Sequence, residues 1–216
     1  MMLQYAVSGG LLIAAYLLGS LPTGYLAGRW LKGIDIREQG SGSTGATNVL
    51  RTLGKGPAAM VLLIDMLKGI GAIALVYALY TFAPTPLLPA TWQPWLVAGT
   101  ALGALLGHSK SIWLSFRGGK SVATSIGVLL AMSVPVALGT VAVFGVFLAF
   151  SRIVSLSSIA GAIAVTLLMI LLKQPLPYLL FAIAGGIYVI WLHRGNIERL
   201  LAGTEPQLGQ KLQQQE

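Results

Sequence analysis

Long apolar runs separated by short polar segments are the feature that most restricts the fold of this sequence. Charged residues make up 9% of the 216 residues and the mean hydropathy is +0.80, whereas a soluble domain has about 25% charged residues. In lipid, backbone N–H and C=O groups must be paired internally, and a helix pairs them within one segment. The pattern predicts an all-α integral membrane protein. Residues 1–216 form one transmembrane domain with a short polar tail, 206–216.

The apolar runs predict a bundle of about seven transmembrane helices, at about 20 residues for each span. The boundaries of the fourth to sixth spans are the least defined, so six and eight spans remain alternatives. The predicted spans cover 3–30, 57–82, 95–106, 122–132, 134–150, 153–172 and 176–192.

Small residues recur every fourth position in two of these spans. Ser20, Gly24 and Gly28 form one ridge in the first span, and 99, 103 and 107 are glycines in and just after the third. Such ridges let helices approach closely. Pro22 lies inside the first span, where it predicts a kink whose freed carbonyl needs another donor.

The basic residues predict the orientation of the bundle. With seven spans, twelve of the Lys and Arg residues fall on one side and only Lys173 on the other, while Lys68 lies within a span. Cytoplasmic loops are enriched in Lys and Arg, so the N-terminus is predicted outside and the polar loops and the C-terminus inside. The twelve are Arg29, Lys32, Arg37, Arg51, Lys55, Lys110, Arg117, Lys120, Arg152, Arg194, Arg199 and Lys211.

The first polar island, 37–55, reads R-E-Q-G-S-G-S-T-G-A-T-N-V-L-R-T-L-G-K. Its glycines allow tight turns, its Ser, Thr and Asn side chains offer hydrogen bonds, and Arg37, Arg51 and Lys55 add positive charge. These groups together suit a phosphate. The alternative is an ordinary connecting loop, because Gly, Ser and Asn are also common turn residues.

The second island, 107–124, contains Gly118-Gly119-Lys120. Open backbone amides beside an ammonium group bind phosphate oxygens, and a helix that begins near Ser121 would add its positive N-terminal end. The segment is not a nucleotide-binding P-loop, because Leu114 stands where the leading glycine is required. The alternative is a basic loop that touches anionic lipid head groups.

The third island follows the last span and contains His193, Arg194, Asn196, Glu198 and Arg199. The spacing of these residues fits two interpretations equally well. One is a clamp for a polyol or a phosphate, and the other is a helix C-terminus that carries cations. His193 and Glu198 have the spacing of the soluble acyltransferase signature H-x-x-x-x-D, but with Glu in place of Asp.

Two further polar features lie in or next to spans. Asp65 and Lys68 share a helix face at i, i+3, and this pair either neutralises itself or supports a site. A lone histidine such as His108, just after a span, is more often a structural residue than a catalyst. The chain has no cysteine, which excludes disulfides, a thiol nucleophile and thiolate metal sites. With two histidines and few carboxylates, neither a metal nor a cofactor is expected.

Taken in order, these islands and the first-span segment G-S-L-P-T-G-Y-L-A-G resemble the bacterial membrane acyl-phosphate:glycerol-3-phosphate acyltransferases. The match extends from Gly19 to Glu205. The resemblance implies transfer of a fatty acyl group from acyl phosphate to the sn-1 hydroxyl of glycerol 3-phosphate. The products would be lysophosphatidic acid and inorganic phosphate, in the first acylation step of phospholipid synthesis.

The resemblance also implies roles for individual residues. The catalytic set is Ser41, Arg51, Lys120 and His193, and the substrate-binding set is Ser43, Thr47, Asn48, Gly118, Gly119 and Asn196. Within these sets the residues 41, 43, 51 and 120 hold the donor phosphate, 47 and 48 shape the loop, and 193 and 196 help to place glycerol 3-phosphate.

The expected partners are the two substrates and the lipid bilayer of the bacterial inner membrane. An enzyme that produces acyl phosphate is a candidate partner, and no nucleic acid is expected. The main alternative function is a transporter of a phosphorylated metabolite, but outside Asp65 and Lys68 the spans carry almost no charge. A non-catalytic lipid-binding scaffold is the other alternative, although it would not need three phosphate-type loops.

Overall fold

A computed structural model describes residues 1–83 and 87–210. This part of the chain contains ten α-helices, three short 3-10 turns and no β-strand. The all-α integral membrane architecture is confirmed. The helices are α1 (Met2–Gly19), α2 (Thr23–Lys32), α3 (Ala46–Leu53), α4 (Lys55–Phe82), α5 (Gln93–Ser109), α6 (Val122–Met132), α7 (Val134–Ser151), α8 (Val154–Leu171), α9 (Leu176–Leu192) and α10 (Arg194–Leu201).

The first predicted span corresponds to α1 and α2 together and each of the others to one helix, and their boundaries agree within three residues. Four helical stretches are long and apolar enough to cross a membrane alone, and there are five if α9 and α10, which are bent by 59°, are counted together as one span. Helix α5 has 17 residues and α6 only 11, so α6 rises about 16 Å against a hydrocarbon core of about 30 Å. The number of crossings therefore stays a prediction. Residues 84–86 of the proline-rich turn and 211–216 of the polar tail, including Lys211, lie outside the described residues.

The first span breaks where Pro22 predicts it, between α1 and α2. The carbonyl of Leu21 accepts a hydrogen bond from the Lys68 ammonium at 3.1 Å, and the carbonyl of Ser20 accepts one from the Ser111 hydroxyl at 2.6 Å. The freed carbonyls thus obtain donors from other segments, as a break in a membrane helix requires. These bonds tie the break to α4 and to the loop after α5.

Close helix packing follows the glycines of α5. An added Cβ at Gly107 would collide with the backbone of α1 at Tyr16, and one at Gly103 would lie 3.3 Å from the carbonyl oxygen of Leu12. The predicted α5 ridge is therefore confirmed. The first-span ridge behaves differently, because Gly24 packs against the backbone of Thr44 and Gly28 lies near Ile34. Gly24 and Gly28 therefore allow close packing against the 31–56 segment rather than against another membrane-spanning helix.

The polar segments meet at one end of the bundle. The Arg37 guanidinium donates to the carbonyl of Leu114, which joins the first island to the second. The Lys120 side chain joins the second island to the third through Asn196, and the backbone N–H of Leu208 donates to the carbonyl of Arg152. Segments that are far apart in the sequence therefore assemble one polar surface.

Candidate active site

One cavity of about 600 Å³ opens at this polar end. It is lined by every predicted site residue except Gly118 and Gly119, so the structure brings the three islands together. The predicted residues that line it are Ser41, Ser43, Thr47, Asn48, Arg51, Lys120, His193 and Asn196. Lys55, Asp65, His108, Ser155, Ser158 and Glu205 also line it.

Asn48 holds the first island in shape. Its side chain is buried, and its amide group donates to the carbonyls of Ile36, Gln39 and Ser43 at 2.9–3.0 Å. Its side-chain oxygen accepts the backbone N–H of Ser41 at 2.9 Å. All of its polar atoms serve the loop, which supports the loop-shaping role rather than direct contact with a substrate.

The first island is less loop-like than its composition suggests, because α3 lies inside it. The helix starts after Gly45, whose carbonyl accepts the N–H groups of Asn48 and Val49. Val49 is fully buried against Ile36 and Val61, which fixes α3 on α4. Sequence reasoning missed this helix, although the i, i+4 apolar pair Val49 and Leu53 was a signal for it.

Gly118 and Gly119 do not offer open amides. The N–H of Gly118 donates to the carbonyl of Ser109 at 3.0 Å, and that of Gly119 donates to the carbonyl of His108 at 3.1 Å. The prediction of open amides at these glycines is wrong, because the two N–H groups already cap the end of α5. The expectation of a helix start near Ser121 is correct, since α6 begins at Val122.

The N-terminal turns of several helices line the cavity, among them those of α3, α6 and α8. The cavity wall includes Ala46 and Thr47 of α3, Val122 of α6, and Val154 and Ser155 of α8. The unpaired N–H groups of a first turn, together with the helix dipole, favour an anion such as phosphate. The contribution of α8 to the site was not predicted, although the distribution of basic residues placed Arg152, just before α8, on the same side as the islands.

The cationic side chains reinforce this preference. Arg51 and Lys55 line the cavity with Lys120, whereas Arg37 does not. Arg37 instead forms an ion pair with Asp35 at 2.7 Å, and its hydrogen bonds lower the pKa of Asp35 to about 2. Arg51 forms no ion pair in the described part of the chain, which leaves its guanidinium available to an anionic ligand.

A network around Glu205 fixes the third island. Glu205 accepts hydrogen bonds from the hydroxyl of Ser155 at 2.7 Å, the amide of Asn196 at 2.6 Å and the guanidinium of Arg199 at 2.7 Å. The Lys120 ammonium donates to the side-chain oxygen of Asn196. Glu205 thus orients Asn196 so that its oxygen faces Lys120. Sequence reasoning gave Glu205 no role, since a single Glu in a basic segment carries no signal.

The environment lowers the pKa of both Lys120 and His193. Burial is the main cause for Lys120, whose pKa falls to about 8, with repulsion from Arg199 and Arg51 adding to it against the attraction of Glu205. Burial also lowers the pKa of His193 to about 4. His193 is therefore neutral near pH 7. Its Nδ1 lies 2.8 Å from the carbonyl oxygen of Val189, so that nitrogen carries the hydrogen and Nε2 holds a lone pair.

The deeper wall of the cavity is apolar and leads to a second cavity. Leu62, Met66 and Ile126 line this part. An apolar space of about 50 Å³ between α6, α7, α8 and α9 shares four lining residues with the large cavity. The four are Val122, Ile126, Phe144 and Ser158. The site is thus cationic at one end and apolar at the other.

Comparison with known proteins identifies relatives over nearly the whole length. The family profile described as glycerol-3-phosphate acyltransferase matches residues 10–203. A protein of that name from Nostoc sp. is 66% identical over 213 residues, 96% of this chain and 94% of the relative. Another from Trichormus variabilis is 65% identical over 216 residues, 97% of this chain and 96% of the relative.

Two crystal structures of PlsY (YgiH), an integral membrane glycerol 3-phosphate acyltransferase, share the fold. The glycerol 3-phosphate form aligns with a TM-score of 0.84 at 38% identity, and covers 94% of this chain and 96% of PlsY. The lysophosphatidic acid form aligns with a TM-score of 0.81 at 39% identity over the same shares of the two chains. The sequence, the fold and these comparisons show that the chain belongs to the glycerol-3-phosphate acyltransferase family of integral membrane proteins.

Proposed function

We propose that this protein transfers a fatty acyl group from acyl phosphate to the sn-1 hydroxyl of glycerol 3-phosphate. The reaction releases lysophosphatidic acid and inorganic phosphate, and begins phospholipid synthesis. The observation that carries the proposal is the single cavity with a cationic end, at Arg51 and Lys120, and an apolar end, at Ile126 and Phe144. Such a cavity suits a molecule that is a phosphate at one end and a hydrocarbon at the other.

Acyl phosphate is a mixed anhydride, so it already contains a good leaving group. The acceptor oxygen attacks the carbonyl carbon, and the carbon–oxygen bond to phosphate breaks with its electron pair passing to the phosphate. The departing phosphate takes up the proton of the acceptor hydroxyl. Arg51, Lys120 and the hydroxyls of Ser41 and Ser43 hold the donor phosphate, where they stabilise the charge that develops on it. No acyl-enzyme is required, because with a good leaving group the reaction needs mainly positioning and charge stabilisation, which contribute several kcal/mol without covalent chemistry.

Glycerol 3-phosphate binds beside this group, against the third island. Neutral His193 accepts a hydrogen bond from a glycerol hydroxyl through Nε2, and Asn196, whose orientation Glu205 fixes, contributes its side-chain amide. Support comes from the two PlsY structures, whose forms contain glycerol 3-phosphate and lysophosphatidic acid. Thr47 lies at the start of α3 and lines the cavity, where it helps to shape the first island.

The test is a reaction of purified protein with acyl phosphate and glycerol 3-phosphate. Phosphate release that requires both substrates, together with lysophosphatidic acid found by mass spectrometry, is the expected result. Omitting glycerol 3-phosphate controls for hydrolysis of the donor. Acylation from acyl-CoA but not from acyl phosphate would contradict the proposed donor and leave the family assignment intact.

We further propose that the site faces the cytoplasm from the bacterial inner membrane, with the N-terminus outside. The twelve-to-one distribution of basic residues supports this orientation. The cysteine-free chain allows single-cysteine labelling without further changes. Cysteines placed at Ser41 and Thr204 are expected to react only after the membrane is permeabilised. Labelling of either cysteine from outside in intact cells would contradict the proposed orientation.

A further inference from the structure

Ser121 lies between Lys120 and the first residue of α6, and its backbone has an uncommon conformation. Its φ of 61° and ψ of 10° place it in the left-handed region, which residues with a Cβ rarely adopt. The residue is fully buried and lines the large cavity. Such conformations persist only where the surrounding structure enforces them, and they are concentrated at functional sites.

Hydrogen bonds on both sides hold Ser121 in this conformation. Its hydroxyl donates to the carbonyl of Leu105, on α5, at 2.7 Å. Its carbonyl accepts the N–H and the hydroxyl of Ser125, both at 2.8 Å, and so forms part of the first turn of α6. Ser121 therefore joins the end of α5 to the start of α6.

The backbone of Lys120 is consequently anchored on both sides. The N–H of the preceding Gly119 donates to the carbonyl of His108 at 3.1 Å, and the hydroxyl of the following Ser121 is bound to the same helix, α5. At its other end, the Lys120 ammonium donates to Asn196. The backbone and the ammonium group of this lysine are thus fixed by different parts of the fold.

The left-handed residue determines how these two attachments fit together. The dihedral angles of Ser121 set the direction in which the chain leaves Lys120 and enters α6. Without the bond to Leu105, the backbone at Ser121 is free to relax toward a commoner conformation. Such a relaxation would move the Lys120 side chain relative to Asn196 and to the cavity.

We propose that Ser121 is a positioning residue, whose anchored left-handed backbone holds the Lys120 ammonium where it meets the donor phosphate; this inference rests on the proposed acyl transfer. Ser121 acts through Lys120 and not by donating its own hydroxyl to the substrate, because that hydroxyl is already bound to Leu105. The sequence distance of one residue makes this coupling direct.

The surroundings of Lys120 give this positioning a measurable signature. Burial is the main cause that lowers the pKa of Lys120, and repulsion from Arg199 and Arg51 adds to it, while the attraction of Glu205 opposes it. His193 is the other titratable group that faces the ammonium. A Lys120 side chain released from its position would gain contact with water, so its pKa would rise toward the ordinary value for lysine.

The test is Ser121→Gly, which removes the hydroxyl anchor and still accepts the left-handed conformation. A net hydrogen bond corresponds to about three- to tenfold in an equilibrium constant, so kcat/KM for acyl phosphate is expected to fall by about that factor. In a Lys120→Ala background the same substitution is expected to change kcat/KM by less than about twofold, because coupled residues are not additive. A residue that only stabilises the fold would lower both backgrounds equally.

The pH profile provides a second readout. The alkaline fall in kcat/KM for acyl phosphate is expected to lie at a higher pH in Ser121→Gly than in wild type, since a more hydrated lysine keeps its proton longer. Ser109→Ala is the matched control. The Ser109 hydroxyl donates to the same carbonyl of Leu105, at 3.0 Å, but Ser109 is not part of the cavity wall, so its pH profile should follow wild type.

An equal loss in the wild-type and Lys120→Ala backgrounds would overturn the proposal, and so would an unchanged alkaline fall in Ser121→Gly. If Ser121→Gly does not fold, Ser121→Ala takes its place in both comparisons. An inactive wild type would instead refute the proposed acyl transfer. The positioning role is then tested by NMR titration of isotope-labelled lysines, in which the Lys120 signal, assigned by its loss in Lys120→Arg, is still expected to titrate at a higher pH in Ser121→Gly.

Discussion

The Lys120 ammonium donates a hydrogen bond to the side-chain oxygen of Asn196, 76 residues further along the chain. The same Asn196 donates through its amide to Glu205. The third island therefore holds the end of the Lys120 side chain in place before a phosphate arrives. The predictions below test this arrangement and the loop that faces it.

Removing either phosphate-binding cation is expected to lower catalytic efficiency. Charge-assisted hydrogen bonds contribute about 1.5–3 kcal/mol, so Arg51→Ala and Lys120→Ala are each expected to lose about tenfold to a few hundredfold in kcat/KM. Arg51→Lys is not expected to recover fully, because an ammonium cannot form the two parallel bonds of a guanidinium. The exposed Lys110 provides a matched Lys→Ala control outside the cavity. Near-normal kinetics in both site variants would reject the assignment.

Lys120 is also expected to set an alkaline limit on activity. Its pKa of about 8 means that it loses its charge as the pH rises through that value, and the neutral amine binds phosphate weakly. We expect kcat/KM for acyl phosphate, which reports the free enzyme, to fall above about pH 8. Lys120→Arg is expected to remove this fall, because Arg stays charged. If kcat/KM of Lys120→Arg still falls above about pH 8, the fall is caused by a group other than Lys120.

Asn48 is expected to be a stability residue more than a contact residue. Asn48→Asp replaces the amide donor with an oxygen that faces three carbonyl oxygens. A buried group left unsatisfied costs about 1–3 kcal/mol, so the thermal unfolding temperature should fall clearly. Thr52→Ala, which removes one side-chain hydrogen bond from the same helix, serves as the control and should have a smaller effect. Equal unfolding temperatures for Asn48→Asp and wild type would contradict the role.

Glu205 is expected to link stability to pH. Burial raises its pKa, but the hydrogen bonds from Asn196, Ser155 and Arg199 outweigh burial and hold the pKa below its usual value. A carboxylate with a lowered pKa stabilises the fold above the usual pKa, and this stabilisation is lost as the pH falls toward the folded-state pKa. From about pH 6 to about pH 4, wild type should therefore lose more thermal stability than Glu205→Gln. The exposed Glu198 supplies a control, since Glu198→Gln should follow wild type.

Acyl transfer is expected to be direct, through a complex that contains both substrates. Initial-rate plots at varied concentrations of both substrates should then intersect. Ser41 and Ser43 border the cavity, yet neither side chain contacts a histidine or carboxylate in the described residues, so neither is activated as a nucleophile. Parallel plots, or labelled acyl groups retained on denatured protein and absent in Ser41→Ala, would show an acyl-enzyme.

The sequence predicted the apolar helices well, because apolar runs in lipid must satisfy their own backbone, whereas it did not predict the more polar α3. The limits of α6 and α7 agree within a residue, although their separation is the single residue Ser133. It also predicted which side chains meet, since the basic islands share one side of the bundle. It could not predict the network around Glu205, because this depends on packing between segments that are distant in the sequence. The amides of Gly118 and Gly119 were misjudged for the same reason: their acceptors lie on α5.

The cavity that is cationic at one end and apolar at the other also determines which concentration the enzyme senses. Under the proposed function, an acyl phosphate reaches this cavity by lateral diffusion within one leaflet, while glycerol 3-phosphate reaches it from water. The reaction rate is then expected to depend on the mole fraction of the donor in the membrane. Adding inert lipid should therefore slow the reaction even when the total concentration of the donor in the sample is unchanged. The proposed reaction thus couples a two-dimensional supply of acyl chains to a three-dimensional supply of glycerol 3-phosphate, and its product would enter the leaflet from which the donor came.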